Sequence, residues 1–221
     1  IPLRLVGSEM CIRDSMDTKL TGKTRIESDL IGAREIPAEA LYGVQTLRGI
    51  ENFSISKFRL SEYPLFIKGL AITKMAAAMA NFELGLLTVE QKDAIIAACG
   101  EIIDGKHHDQ FPVDMIQGGA GTTTNMNANE VIANRALELM GHERGEYQYC
   151  SPNDHVNCSQ STNDAYPTAI HIGMYFKHLQ LLPHLEELIA SFRKKGEEFS
   201  RIIKMGRTQS VSYTHLTLAD D

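Results

Sequence analysis

The chain has 221 residues, a formal net charge of −6 and 23% charged residues, which is the balance of an ordinary soluble globular protein. Its length allows one domain or two small ones, and its negative charge argues against nucleic acid or an anionic membrane as a partner. No run of the sequence reaches the ~18 consecutive apolar residues of a membrane-spanning helix. The cysteines have no metal-type spacing, so we expect reduced thiols and a cytoplasmic protein; they are Cys11, Cys99, Cys150 and Cys158.

The two ends of the chain differ from its interior. Ile1–Ser15 has neither helical nor strand periodicity and lacks the apolar region of a secretory signal. This segment and the tail Ser210–Asp221 resemble strings that arise when sequencing-adapter DNA is translated; a pair of natural disordered termini is the alternative. We therefore expect the genuine protein to occupy Met16–Gln209.

The interior is predicted to be mostly helical. Arg25–Gly43 is expected to start as an extended arm or a hairpin, with Pro37 then beginning a helix. Apolar periodicity predicts a helix over Ser61–Gly85 and a second one over Thr88–Gly105, which opens on a capping-box pattern. A third helix is predicted over Asn125–Gly141, with the glycine ending it.

From Ala165 onward the pattern is helical almost to the end of the chain. Leucines and other apolar residues recur at helical spacing from Leu181 to Phe192, and Pro183 is expected to bend or restart this helix. Such an apolar face requires a bundle that includes missing residues or other subunits. The sequence predicts an all-α fold, in which an N-terminal helical domain (residues 16–158) precedes the start of a central helical bundle (residues 159–209).

Two polar loops that run into helices carry the main sign of a ligand site. They are Gln117–Glu130 (QGGAGTTTNMNANE) and Ser151–Thr168 (SPNDHVNCSQSTNDAYPT). Free N–H groups and the helix dipole favour an anion at such helix starts. Neither loop contains Lys or Arg, which favours a small carboxylate over a phosphate chain as the ligand.

The candidate ligand contacts are hydroxyl and amide side chains in these loops. In the first loop, Thr122 and the threonines after it offer donors to a carboxylate. In the second loop, Ser161 and Thr162 offer hydroxyls and Asn163 offers an amide. The alternative role for both sets is helix capping, with Asp164 as the capping residue of the second helix.

His155 is the one candidate general base in these loops, but a lone loop histidine more often has a structural role. The other histidines and the cysteines show no metal-ligand spacing, so no metal site is predicted. The sequence also lacks a nucleophile elbow and a phosphate-binding loop.

Taken together, several segments resemble the aspartase/fumarase superfamily over essentially all of Arg25–Gln209. These segments are AEALYGVQTLRGIENF, DQFPVD, GGAGTTTNMNANEVIANRALELMG, GEYQY, PNDHVNCSQSTNDAYPT and KMGRTQ. The joint match is far more specific than either loop alone.

Within the superfamily, the motifs favour the ammonia-lyase branch over the hydratase branch. Fumarases typically read GSGTQSNMN and SSND, where this chain reads GAGTTTNMN and STND. They also carry Phe at the position of Tyr166 and His at the position of Ser151. A fumarate hydratase is the second interpretation, and a non-catalytic helical scaffold that holds dicarboxylates is the third.

The resemblance implies a reaction and a set of site residues. L-Aspartate would lose ammonia to give fumarate through a Cβ carbanion and an aci-carboxylate, with no organic cofactor required. Activation of the complete enzyme by a divalent cation is a further expectation. By motif position, the substrate-binding residues are Thr122, Ser161, Thr162, Asn163, Thr208 and Gln209. Gln209 stands where many relatives have His.

The resemblance also implies what this chain lacks. The catalytic serine of the family and a nearby carboxylate-binding lysine lie beyond residue 209, so no catalytic residue is assigned here. Members of the family are homotetramers, and residues from different subunits form each active site. We therefore expect the chain alone to be inactive and to fold poorly or aggregate.

Overall fold

A computed structural model describes residues 22–203 and the backbone of residues 207–208 and 211–212. Helices dominate this part of the chain, so the predicted mainly helical fold is confirmed. The elements are β1 (Thr24–Asp29), β2 (Gly32–Pro37), α1 (Val44–Asn52), α2 (Pro64–Glu83), α3 (Val89–Ile103), α4 (Thr122–Leu139), α5 (Thr162–Phe199), β3 (Arg207–Thr208) and β4 (Val211–Ser212). Short helical turns lie at Leu60–Glu62, His108–Gln110 and Pro152–Val156.

The hairpin alternative for the first segment is confirmed. Strands β1 and β2 pair antiparallel, with Arg25 opposite Ile36. Their turn is closed by Asp29, whose Oδ1 accepts hydrogen bonds from the N–H groups of Ile31 and Gly32 at 2.9 and 3.1 Å. A second antiparallel pair joins β3 to β4.

The predicted helix start at Pro37 is wrong, because Pro37 ends β2 and α1 begins only at Val44. The reason is a contact that is distant in sequence. The guanidinium of Arg25 donates to four backbone carbonyls in this segment, at 3.0, 3.3, 2.6 and 2.8 Å; they belong to Pro37, Ala38, Ala40 and Tyr42. These bonds hold the segment between Pro37 and Tyr42 in an irregular conformation, in place of the helix predicted to start at the proline.

Helices α2 and α3 confirm the next two predicted helices. Pro64 occupies the first position of α2, and the capping box of α3 is present, with Thr88 Oγ1 accepting from the Gln91 N–H at 3.2 Å. Their buried faces form much of the core, through Ile67, Leu70, Ala71, Ala78, Ile95, Ala98, Cys99 and Ile102. By length and composition α2 is apolar enough to cross a membrane, but the core helix of a soluble protein meets the same criteria.

Helix α4 begins at Thr122, before the predicted start at Asn125. Gly121 precedes it in the left-handed conformation, at φ 85°, which favours glycine. The first turn is capped from outside, because Gln117 Oε1 accepts from the Thr124 N–H at 2.9 Å. Gly141, at φ 82°, follows the C-terminal end of the helix as predicted.

Helix α5 is a single element of 38 residues. It continues through Pro183, so a restart at that position is wrong, and the alternative, a bend, stays a prediction. A proline removes one backbone hydrogen bond from a helix, which costs stability without necessarily ending the helix. The predicted apolar face is exposed in this chain: Leu181, Leu182, Leu185, Leu188, Ile189 and Phe192 are each between 37% and 70% exposed.

The chain divides into two compact units, of which the first ends at Phe176 and the second begins at Lys177. The first contains the hairpin, helices α1 to α4 and the beginning of α5. The second contains the rest of α5 and strands β3 and β4. The predicted domain boundary at residues 158/159 stays a prediction. The predicted foreign ends also stay predictions, because residues 1–21 and most of residues 210–221 lie outside the described residues.

Candidate active site

The first unit brings the two polar loops together. The side-chain amide of Asn125, at the start of α4, donates to Thr162 Oγ1 at 3.3 Å. Close by, the backbone of Gly121 lies directly against the ring of Tyr166 in α5. Two helix N-termini that are distant in sequence therefore flank one region of the surface.

An open cleft of about 530 Å³ lies at this junction. Its walls combine the glycine-rich loop with the first turn of α5, and none of its lining side chains carries a formal charge. The lining residues are Met115, Ile116, Gln117, Gly119, Ala120, Gly121, Asn163, Tyr166 and Pro167. A ligand in this cleft would meet amide groups and backbone N–H groups instead of ion pairs.

Four of the predicted contacts lie at this junction. Thr122 is exposed at the first position of α4, and Ser161 and Asn163 are exposed at the start of α5. Thr162 is half-buried beneath them, where it contacts Asn125. Of these four residues, Asn163 lines the cleft, and the three hydroxyl residues lie beside it. Hydroxyl and amide groups of this kind have the chemistry needed to bind a small carboxylate.

Capping accounts for part of this chemistry. Ser161 Oγ accepts from the Asn163 N–H at 3.2 Å, so this hydroxyl supports the start of α5. The predicted capping residue Asp164 is wrong, because α5 begins at Thr162 and Asp164 lies inside its first turn. In the first loop the cap is supplied by Gln117, which leaves the Thr122 hydroxyl at the surface.

The two remaining predicted contacts are not located by the structure. Thr208 belongs to strand β3 in the second unit, but its side chain lies outside the described residues. Gln209 also lies outside them. Both stay predictions.

The surroundings of His155 favour its structural role. Its Nδ1 accepts from the Ser151 N–H at 2.7 Å, and its Nε2 lies 3.2 Å from the Gln91 amide nitrogen. Burial lowers the pKa of the imidazole, against a smaller opposing effect of Asp154. Both ring nitrogens are occupied by protein groups, so the ring is not free to act as a base on a ligand.

A buried polar chain beneath the cleft was missed by the sequence reasoning. Lys74, fully buried in α2, donates to Asn157 Oδ1 at 2.8 Å, and Asn125 donates to the same oxygen at 3.0 Å. Burial lowers the pKa of Lys74 to about 7, against a smaller opposing effect of Cys99. The only signal in the sequence was a lysine in an otherwise apolar stretch of helix.

The part of the chain that the structure describes contains no group of three or more His, Cys, Asp or Glu side chains able to hold a metal ion. Cys99, Cys150 and Cys158 are free thiols. Burial raises the pKa of Cys99 and of Cys150 to about 12, so both stay protonated at neutral pH.

Comparison with known proteins shows which family this chain matches. A family model described as lyase matches residues 32–221. Among curated proteins, aspartate ammonia-lyases from Pseudomonas canavaninivorans and Helicobacter pylori are 57% and 56% identical over 197 residues, or 89% of this chain. The enzyme of the same name from Escherichia coli is 53% identical over 203 residues. The chain spans 42% of the length of each of these relatives.

Solved structures of lyases and fumarases share the fold of this chain. A structure described as fumarate lyase:delta crystallin from Brucella melitensis, bound to cobalt, is 52% identical with a TM-score of 0.81, over 86% of this chain and 42% of that one. A class II fumarase from Schistosoma mansoni is 38% identical with a TM-score of 0.78, over 86% of this chain and 40% of that one. The chain therefore belongs to the lyase family, and its predicted membership of the aspartase/fumarase superfamily is confirmed.

Proposed function

We propose that this chain forms part of an aspartate ammonia-lyase, which converts L-aspartate to fumarate and ammonia. The observation that carries the proposal is the convergence of the two loops, linked by the hydrogen bond from Asn125 to Thr162, on one uncharged cleft. The 53–57% identity to curated aspartate ammonia-lyases supports the choice of reaction.

The proposed reaction moves charge towards one carboxylate of the substrate. A base removes a proton from Cβ, and the electron pair moves onto the β-carboxylate to give an aci-carboxylate. The pair then returns to form the Cα–Cβ double bond of fumarate as the C–N bond breaks and ammonia leaves. Donors fixed before the reaction stabilise such developing charge, and we assign that role to Thr122, Ser161, Thr162 and Asn163.

The complete site requires more than this chain supplies. We propose that the base and a carboxylate-binding cation lie beyond Gln209, and that the enzyme is a homotetramer with shared sites. The exposed leucine face of α5 supports an assembly of this kind, because an apolar face this large needs a partner. The chain alone is then inactive and prone to aggregation, and a soluble, cooperative thermal transition of the 221-residue chain would contradict this.

The proposed reaction requires no organic cofactor, because the β-carboxylate itself accepts the electron pair. Activation of the complete enzyme by a divalent cation is a separate proposal, tested by removing metal with a chelator and adding back Mg²⁺. A cytoplasmic location is proposed as well, and it is supported by the three free thiols.

The main alternative is fumarate hydratase, which would use the same cleft with water as the leaving group. The chain is 38% identical to the fumarase structure and 57% identical to a curated aspartate ammonia-lyase. Tyr166 also stands where fumarases carry Phe, so both observations argue against the hydratase. A non-catalytic scaffold that binds dicarboxylates is the third candidate.

The deciding experiment offers L-aspartate and L-malate in parallel to the complete protein that contains this chain, with fumarate formation as the readout. We expect fumarate from L-aspartate only, with a raised KM for L-aspartate in Thr162→Val. Fumarate from L-malate only would establish the hydratase instead. Fumarate from neither substrate, together with calorimetric binding of fumarate, would establish the scaffold.

A further inference from the structure

Lys74 has an unusual environment for a lysine. Its side chain is fully buried, and among the described residues its hydrogen-bond partner is the neutral amide of Asn157, not a carboxylate. Taking an ammonium group out of water without an opposite charge destabilises the folded state. A purely structural role therefore gives no reason for a lysine at this position.

The hydrogen bonds of Lys74 determine how the next amide is oriented. The Lys74 amine donates to Asn157 in the structure, and in its charged form it has donors and no acceptor, so Asn157 turns its carbonyl oxygen towards Lys74. The same oxygen accepts from Asn125, and the amide nitrogen of Asn157 donates to the Gln160 carbonyl at 3.1 Å. Turning this amide around would place its NH₂ group against two donors, so its orientation is unique.

The orientation is passed on to Thr162. Because Asn157 presents an acceptor, Asn125 must present its NH₂ group, and this group also reaches Thr162 Oγ1 at 3.3 Å. This orientation leaves the carbonyl oxygen of Asn125 buried without a partner among the described residues, which destabilises the folded state. The Thr162 hydroxyl accepts from beneath, and its own hydrogen is free to donate to a carboxylate above it.

We propose that Lys74 is a positioning residue that acts through Asn157 and Asn125 to turn the Thr162 hydroxyl into a donor for the substrate carboxylate. This inference rests on the proposed function, because it requires that Thr162 contacts the substrate.

A double-mutant cycle in the complete protein tests the proposal, with Lys74→Met and Thr162→Val made singly and together. We expect Lys74→Met to raise the KM for L-aspartate roughly tenfold, which is the effect of losing one hydrogen bond to a charged group. On the Thr162→Val background the same change should raise KM less than about twofold, because the hydroxyl is already absent. Tm should not fall, because a buried cation has been removed.

A merely structural role predicts a different result. Lys74→Met would then lower Tm and would change KM by the same factor with or without the Thr162 hydroxyl, and this outcome overturns the proposal. Thr73→Val is the matched control: it removes the neighbouring hydroxyl that bonds to the Gly69 carbonyl at 2.9 Å and should leave KM unchanged.

A second variant covers the case in which Lys74→Met does not fold. Asn125→Leu has a similar volume but cannot donate, so the Thr162 hydroxyl is no longer held as an acceptor from beneath, and KM should rise about tenfold only when that hydroxyl is present. If the wild type makes no fumarate from L-aspartate, the proposed function fails. Calorimetry then measures the Kd of fumarate for the wild type, the single variants and the double variant. Additive effects on that Kd overturn the positioning role separately.

Discussion

The backbone of Gly121 lies against the ring of Tyr166, so closely that a Cβ atom added to the glycine would overlap the ring. The same ring packs edge-on against Phe66, with the ring centroids 5.5 Å apart. Tyr166 thus joins the glycine-rich loop to helices α2 and α5, and the shape of the cleft depends on the absence of a side chain at Gly121.

Gly121→Ala should lower the free energy of unfolding by about 2–4 kcal/mol, because it combines a left-handed alanine with an overlap against Tyr166. Chemical denaturation of the complete protein measures the change. Gly119→Ala is the control, since its φ is also positive, at 73°, but its added Cβ would lie 3.8 Å from the nearest side-chain atom, in Thr122. Equal losses in the two variants would show that the ring contact contributes nothing.

Gly69→Ala should also be destabilising, by at least about 2 kcal/mol, because the added Cβ would overlap the backbone carbonyl of Ala169 and push α2 away from α5. Gly100→Ala is the matched helical control. Its Cβ would meet no atom within 4 Å, so the lower entropy of the unfolded chain should stabilise the protein by about 0.5–1 kcal/mol. Thermal unfolding of both variants checks the opposite signs, and a tolerated alanine at position 69 would contradict the close helix contact.

Glu130→Gln should lower the free energy of unfolding by about 2–4 kcal/mol. The buried carboxylate accepts from the N–H groups of Gly43, Gln45 and Thr46 at 2.8, 2.8 and 3.0 Å, and also from the Thr46 hydroxyl. Burial raises the pKa of Glu130, against these hydrogen bonds. An amide would turn an NH₂ group towards donors at the start of α1. Exposed Glu83→Gln should change stability by less than about 0.5 kcal/mol, and a similar value for Glu130→Gln would refute the capping role.

The pH dependence of stability should report Lys74. Its pKa is about 7 in the folded protein and 10.5 ordinarily, so between these values the unfolded chain holds more protons. The cost of burying Lys74 is therefore fully present below pH 7 and decreases as the pH rises. Protonated Cys99 and Cys150 oppose this trend above their ordinary pKa of 9.0. The useful window is thus pH 7 to 9.

In that window, the free energy of unfolding of the wild type minus that of Lys74→Met should rise by about 2–3 kcal/mol. Urea unfolding of both proteins at the two pH values measures it. The thiols are the same in both proteins, so their contribution cancels. A difference that stays constant with pH would mean that Lys74 remains charged in the folded protein.

Local patterns in the sequence predicted most of the secondary structure. The capping box of Thr88 and Gln91 and the glycine at position 141 act over one turn of chain, so their effect can be read from spacing alone. The helix start at Pro37 was predicted wrongly because it depends on Arg25, whose side chain reaches back across the hairpin. No local pattern reports such a contact.

By itself, the sequence determined the helical class of the protein, its superfamily motifs and the two loops rich in hydroxyl and amide groups, since these follow from residue types and short spacings. Only the tertiary structure decided that the loops meet, because Asn125 and Thr162 are 37 residues apart. It alone also revealed Lys74 beneath them, since the partner of that lysine, Asn157, lies 83 residues further along the chain. Hydrogen bonds between distant segments depend on which helices pack together, and apolar periodicity shows the buried face of a helix but not its partner.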